Sequence, residues 1–240
     1  LQLVVTFASL VLLGRNLGPE TYGAYYGLYA VIAVLGIIAA SGLNLTLRDH
    51  VLRRGDDVGV VLRSCLSLAL GLGIGLTVVG LAVCHFVVPQ LGIAEMVGLF
   101  AVEFVAAPVV LLVSAARLAT EGFIPSARVR LTTISARLAA LVLLGVPGWL
   151  TIERYGMLYL GITSVLGVIW VRWIGRAYQI SVRPGSPRWN DLKTSAVYTL
   201  GIGGMSVQNE GDKAVLSAND VGADAVDVDR LRGAAGLVAV

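Results

Sequence analysis

Charge is what this sequence has least of. Acidic and basic residues fill 14% of its 240 positions, whereas an ordinary soluble domain carries about a quarter. That deficit, with 57% hydrophobic residues and several long apolar runs, excludes a normal water-facing surface and points to a membrane protein. The net charge of +3 is then no sign of nucleic-acid binding. Catalytic signatures are missing too. There is no G-x-S-x-G elbow, no Walker A loop and no H-E-x-x-H, and histidine occurs only at His50 and His85. Gly71-x-Gly73-x-Gly75 lies inside an apolar run instead of following a strand, which argues against a nucleotide loop. Cysteine is limited to Cys65 and Cys84. Both fall in one predicted helix, about 28 Å apart along its axis, too far to pair within it. The first apolar run has no basic residues before it and no small-residue cleavage site after it, so it is not read as a signal peptide. No enzymatic activity, cofactor or metal site is expected. Of the histidines, His50 reads as a solvated residue of a basic loop, and His85 as packed or interfacial.

What is present is apolar length. The expected fold class is an all-α polytopic membrane bundle of about seven transmembrane helices, over 1–13, 24–47, 64–88, 93–116, 131–150, 155–174 and 195–218. Gly18-Pro19 ends the first of these, because proline lacks the amide donor and restricts the residue before it. A short outer loop, Leu17-Gly18-Pro19-Glu20 then Tyr22-Gly23, should follow. From Ala24 to Leu47 no residue is charged, some two dozen residues at ~1.5 Å each, enough to cross a bilayer. In the third helix, the Gly71/Gly75 spacing allows close approach of another helix. In the fourth, Pro108 predicts a kink. Trp170 and Trp173 mark an interface at the inner end of the sixth.

Basic residues give an independent count of the spans. Arg48, Arg53, Arg54 and Arg63 follow the second; Arg117, Arg128, Arg130 and Arg137 follow the fourth; Arg172, Arg176, Arg183, Arg188 and Lys193 follow the sixth. The intervening loops hold Arg15, no basic residue, and Arg154. The positive-inside rule places the rich loops and the N-terminus in the cytoplasm of a multi-pass cell-membrane protein. A faint repeat lays Asn16-Leu17-Gly18-Pro19-Glu20 over Asp220-Val221-Gly222-Ala223-Asp224, as in parallel-repeat transporters. The chain then divides into a six-helix lobe over 1–194, its first helix shortened, and the start of a second lobe over 195–240. It reads as a fragment or a degenerate copy.

Ionisable residues inside spans are the candidate functional groups, since a charge in hydrocarbon costs ~2.5 kcal/mol or more and usually faces a cavity. Glu103 lies near the middle of the fourth span, and Glu210, Asp212 and Lys213 lie near the outer end of the seventh. Their depths differ by under ~10 Å, so they suit one cavity. The plainer alternative is an internal pair, Lys213 with Glu103 or a neighbour, that only holds the bundle together. Arg15 is a basic residue on the outer side, and Arg48 doubles as a positive-inside residue.

The wording Arg15-x-Leu17-Gly18-Pro19-Glu20-x-Tyr22-Gly23, followed by an apolar span ending in Gly42-Leu43-Asn44 and Arg48, resembles the start of polysaccharide-export flippases. These are the Wzx-type (O-antigen) members of the multidrug/oligosaccharidyl-lipid/polysaccharide (MOP) exporter superfamily. The resemblance covers 14–48 closely, Asp212-Lys213 less so, and the middle by hydropathy. It implies two six-helix bundles around a cationic cavity that flips a polyprenyl-pyrophosphate-linked glycan outward for cell-surface polysaccharide biosynthesis. Its implied surroundings are the lipid bilayer, the lipid-linked oligosaccharide, a polysaccharide polymerase and glycosyltransferases. Arg15, Arg48 and Lys213 would then bind substrate, since arginine and lysine are the usual partners of pyrophosphate. Glu103, Glu210 and Asp212 would be coupling or cavity acids. Relatives often carry an acid before Gly-Leu-Asn, where this chain has Ala39-Ala40-Ser41, so no coupling role is expected there. Three other readings compete: a cation-coupled multidrug antiporter of the related extrusion family, a membrane glycosyl- or phosphotransferase, and a truncated copy inactive alone. The transferase should show acidic metal-binding clusters in a cytoplasmic loop, but Asp56-Asp57 reads as a turn.

Overall fold

A computed structural model describes residues 11–88, 91–145, 147–179 and 190–201, apart from the side chains of 19, 37–41 and 87. Every regular element among the described residues is helical, and the fold is an all-α bundle. It comprises α1 (Pro19–Arg53), α2 (Val58–Val87), α3 (Ile93–Thr120), α4 (Phe123–Gly145) and α5 (Ile152–Ala177). Helical residues 11–17 precede them and 190–201 follow. Among the described residues, three helices are long and apolar enough to cross a membrane: Val58–Phe86, Ile93–Thr120 and Ile152–Ala177. The chain divides into two compact units, Leu1–Thr199 and Leu200–Val240. The second lies outside the described residues except for 200 and 201. So do the proposed repeat at 220–224 and most of the predicted seventh span.

Local chemistry sets the ends. Gly18 has φ of 73°, a left-handed conformation that favours glycine, and Pro19 follows at the first helical position, where a missing amide costs nothing. The loop expected around Leu17–Gly23 therefore shrinks to a single-residue break. At its other end α1 runs past Leu47 to Arg53, carrying Arg48 and His50 into the bundle. Asp57 caps α2 by accepting from Gly59 N at 2.8 Å and Val60 N at 3.1 Å, so the turn expected at Asp56-Asp57 is a helix cap. Gly122, with φ of 94°, separates α3 from α4. Pro125 then sits in the first turn of α4, where proline is tolerated. Arg137, counted above among the basic residues between spans, lies well inside α4, as the predicted span over 131–150 already required.

α3 is the central helix. In its apolar window 67% of residues are buried, against 22% in α2 and in α5. Those two turn Ile74, Val78, Val79 and Phe86, and Val165, Val168 and Ile169, outward. Around Pro108, α3 widens into a π-helical turn at Val102–Ala106. Proline cannot donate to the Phe104 carbonyl four residues back, and Gly73 of α2 packs against that oxygen. Gly71 and Gly75, the pair expected to permit close approach, have nothing near their Cβ directions. Gly73 and Gly80 are the residues that do this, Gly80 against the Phe100 ring. α3 and α5 cross with backbones touching: a Cβ on Gly98 would stand 2.6 Å from the Gly156 carbonyl carbon. Gly42, of the Gly-Leu-Asn element, is covered by Ser195 and Thr199 of the 190–201 helix.

One apolar core lies toward Gly18, around Leu13, Tyr25, Leu28, Met96, Phe100, Leu141 and Tyr155. The other lies toward His50, around Leu43, Leu47, Leu62, Cys65, Leu112, Val113 and Ile174. Cys65 and Cys84 are free, buried thiols, one in each core.

Candidate functional site

Polar chemistry collects in the half of the bundle toward Gly18, and sequence reasoning missed its centre. Tyr25 and Tyr29 are one helical turn apart on α1, and Tyr155 and Tyr159 one turn apart on α5. Their spacing puts each pair on one face. Tyr25 stacks on Tyr29 with centroids 5.8 Å apart, and Tyr155 on Tyr159 at 5.9 Å; Tyr25 meets Tyr155 at 6.5 Å. Into this wall α4 sends Arg137. It donates from Nη1 to the Tyr29 hydroxyl at 3.0 Å and from Nη2 to the Tyr25 hydroxyl at 3.4 Å. Its guanidinium carbon lies 5.1 Å from the Tyr29 ring centre, within cation–π range. Arg137 Nε is buried and makes no hydrogen bond.

Glu103, on the π turn of α3, completes the group. It interacts electrostatically with Arg137, Tyr29, Tyr155 and Tyr159. Among the described residues no contact of 4 Å or less joins it to Arg137 as an ion pair. Glu103, Arg137 and Tyr29 are half-buried, whereas Tyr25, Tyr155 and Tyr159 are 1–4% exposed. Counting ~1.5 Å per residue from the helix ends, the members stand ~5–15 Å inside the bundle. Because Arg137 donates to Tyr25 and Tyr29, both hydroxyls keep a proton to donate onward. The arrangement therefore offers a fixed cation, hydroxyl donors and aromatic faces beside a carboxylate. A planar guanidinium of this kind suits phosphate or carboxylate oxygens. The readable traces were tyrosines at helical spacing and an arginine flanked by Ala136 and Leu138.

The residues named from sequence are dispersed. Arg15 is exposed on the 11–17 helix. Arg48 lines a cavity of about 240 Å³ with Leu45, Asp49, Leu52, Arg53 and Tyr198, toward the opposite end from Arg137. Its Nε is buried without a hydrogen bond, as is Asn44 Oδ1 one turn earlier. Glu103 is the one sequence candidate in the Arg137 cluster, and Glu210, Asp212 and Lys213 lie outside the described residues. His85 is exposed, edge-on to Phe86 at 5.6 Å. His50 is a correction. It is 4% exposed, not solvated, and is held between two carboxylates.

A second arginine is fixed near the His50 end. Buried Arg117 faces the Trp173 ring at 4.1 Å and Trp170 at 5.4 Å, and its Nε donates to Glu121 at 2.9 Å. Tyr178 donates to the other Glu121 oxygen at 2.6 Å. Burial opposes ionisation of Glu121, but the hydrogen bonds from Tyr178 and Arg117 and the Arg117 charge outweigh it, holding the carboxyl below its ordinary value. The two indoles thus clamp the ends of α3 and α5 together, beyond the interfacial role expected of them. Compared with known proteins, the chain matches no family model, no curated protein and no solved structure.

Proposed function

We propose that this chain is a multi-pass cell-membrane protein that flips a lipid-linked oligosaccharide, carried on a polyprenyl pyrophosphate, for cell-surface polysaccharide assembly. The observation that carries the reading is Arg137, a permanent cation set into an apolar bundle among tyrosine hydroxyls with an unused Nε–H. A pyrophosphate supplies the acceptors such a group lacks, and a glycan suits aromatic faces and hydroxyl donors. Arg48, lining a cavity at the other end, supplies a second cation. The resemblance of 14–48 to polysaccharide-export flippases agrees with this. In this reading the His50 end is cytoplasmic, the Gly18 end faces outward, and glycosyltransferases and a polymerase act before and after transport. A cation-coupled antiporter is the second reading, favoured by the half-buried carboxylate of Glu103 on a π turn, a distortion frequent at functional sites.

Binding in lipid nanodiscs, measured by native mass spectrometry, separates the two. A polyprenyl pyrophosphate should bind and the matching polyprenol should not. Loss of a charge-assisted hydrogen bond costs ~1.5–3 kcal/mol, so Arg137→Gln should weaken binding roughly 10- to 100-fold, with Arg137→Lys between. Equal binding of pyrophosphate and polyprenol, or unchanged binding by Arg137→Gln, would sink the flippase reading.

A further inference from the structure

His50 stands in the last turn of α1, buried, with a carboxylate on each side. Its Nδ1 lies 2.8 Å from Asp56 Oδ2, in the turn before α2, and its Nε2 lies 3.7 Å from Asp191 Oδ1, on the 190–201 helix. Asp56 is 40% exposed, but Asp191 is wholly buried. Among the described residues, neither Asp191 oxygen receives a hydrogen bond, and His50 Nε2 makes none. A carboxylate only accepts, so Nδ1 must carry a proton toward Asp56. Nε2 balances Asp191 only if it carries one too. A doubly protonated imidazolium satisfies both sides. A neutral ring leaves a buried carboxylate facing a lone pair, which is strongly unfavourable.

Among the described residues, the surrounding charges do not replace that proton. On α1, Asp49 takes Arg53 at 3.5 Å and Arg54 at 3.3 Å. Asp57 is occupied capping α2. Cys65 of α2 is buried within electrostatic reach of Asp191. Arg63 on α2 and Lys193 beside Asp191 have contacts of their own, and neither donates to Asp191. Arg117 of α3 is committed to Glu121.

We propose that His50, between Asp56 and Asp191, is a proton-binding site whose occupancy latches the 190–201 helix onto the end of α1. With the proton bound, Asp191 stays neutralised in its buried position and Gly42 keeps its backbone contact with Ser195. Loss of the proton leaves the Asp191 charge uncompensated, and the helix lifts off to hydrate it. Histidine is the side chain whose charge changes near neutral pH, so the latch responds to the pH on the side its end faces. The site does not depend on what the bundle transports.

Native Cys65 reports the latch, because it is buried near Asp191 and becomes reachable when the helix lifts. Cys84, far along α2 in the other core, is the control. In the full chain in lipid nanodiscs, N-ethylmaleimide labelling of both thiols is followed by mass spectrometry, and the Cys65-to-Cys84 ratio cancels the pH dependence common to thiols. As the pH is raised and the proton is lost, the ratio should rise by up to about tenfold per pH unit. His50→Gln should give a high, pH-independent ratio, and Asp191→Asn, which needs no counter-charge, a low and flat one. A flat wild-type ratio, pH dependence surviving in His50→Gln, or a high ratio in Asp191→Asn would each overturn the proposal.

Discussion

Arg137 cannot shed its charge, so its place inside the bundle has to be compensated by neighbours. Tyr25 and Tyr29 accept two of its hydrogen bonds, and Glu103 supplies the opposite charge nearby. Structural and ligand-binding roles of this group separate in one pair of variants. Arg137→Gln removes the cation and leaves Glu103 uncompensated, which costs ~3–5 kcal/mol where desolvation is full and less here, because Glu103 is half-buried. We expect Arg137→Gln to lower the unfolding midpoint of the purified protein and Glu103→Gln made alongside to restore it. Pyrophosphate binding should stay lost in the double variant. Recovery of binding together with stability would show Arg137 to be scaffold alone. His50 makes the same point about local reading: an arginine-rich neighbourhood suggested a wet loop, yet its partner Asp191 is distant in sequence.

At the scale of the element, α2 shows how one helix carries two glycine faces. Gly71 and Gly75 are one turn apart and share a side; Gly73 lies about 200° around from Gly71, on the opposite side. Spacing alone cannot say which side meets a neighbour. The decision is made by α3, where Pro108 frees the Phe104 carbonyl and the π turn presents it to Gly73. A methyl at Gly73 would meet backbone, which cannot swing aside as a side chain does. Gly73→Ala should therefore destabilise by about 1–3 kcal/mol. Gly71→Ala, at an exposed helical site, should be neutral or stabilising by up to ~1 kcal/mol. Chemical unfolding in detergent checks both, and the reverse order would mean that α2 packs through its other face.

The whole molecule retains the charge asymmetry noted in its sequence. With Arg137 removed from the loop set, ten of its members among the described residues flank the His50 ends of the spans, with Arg15 and Arg154 at the other. The positive-inside rule predicts that the Arg53 end is cytoplasmic. In a background without Cys65 and Cys84, Arg53→Cys should resist an impermeant thiol reagent applied to intact cells, and Trp149→Cys, 63% exposed at the opposite end, should react. Labelling at Arg53 alone would invert the orientation. The helical class, the order of the helices and the break at Gly18-Pro19 were legible because they rest on local quantities: apolar run length, missing amides and the φ that glycine allows. Helix ends were less so, since Pro125 breaks a helix interior but is accepted in a first turn, so α4 begins at Phe123, eight residues before the expected span. The polar groupings were not legible at all. Arg137 with Tyr25, Tyr29 and Glu103, and His50 with Asp56 and Asp191, join residues from separate helices. Composition along the chain determined that this protein is a bundle of apolar helices; only the packing of those helices decided which few charges meet inside it, because such meetings depend on the rotation and crossing of each helix against its neighbours.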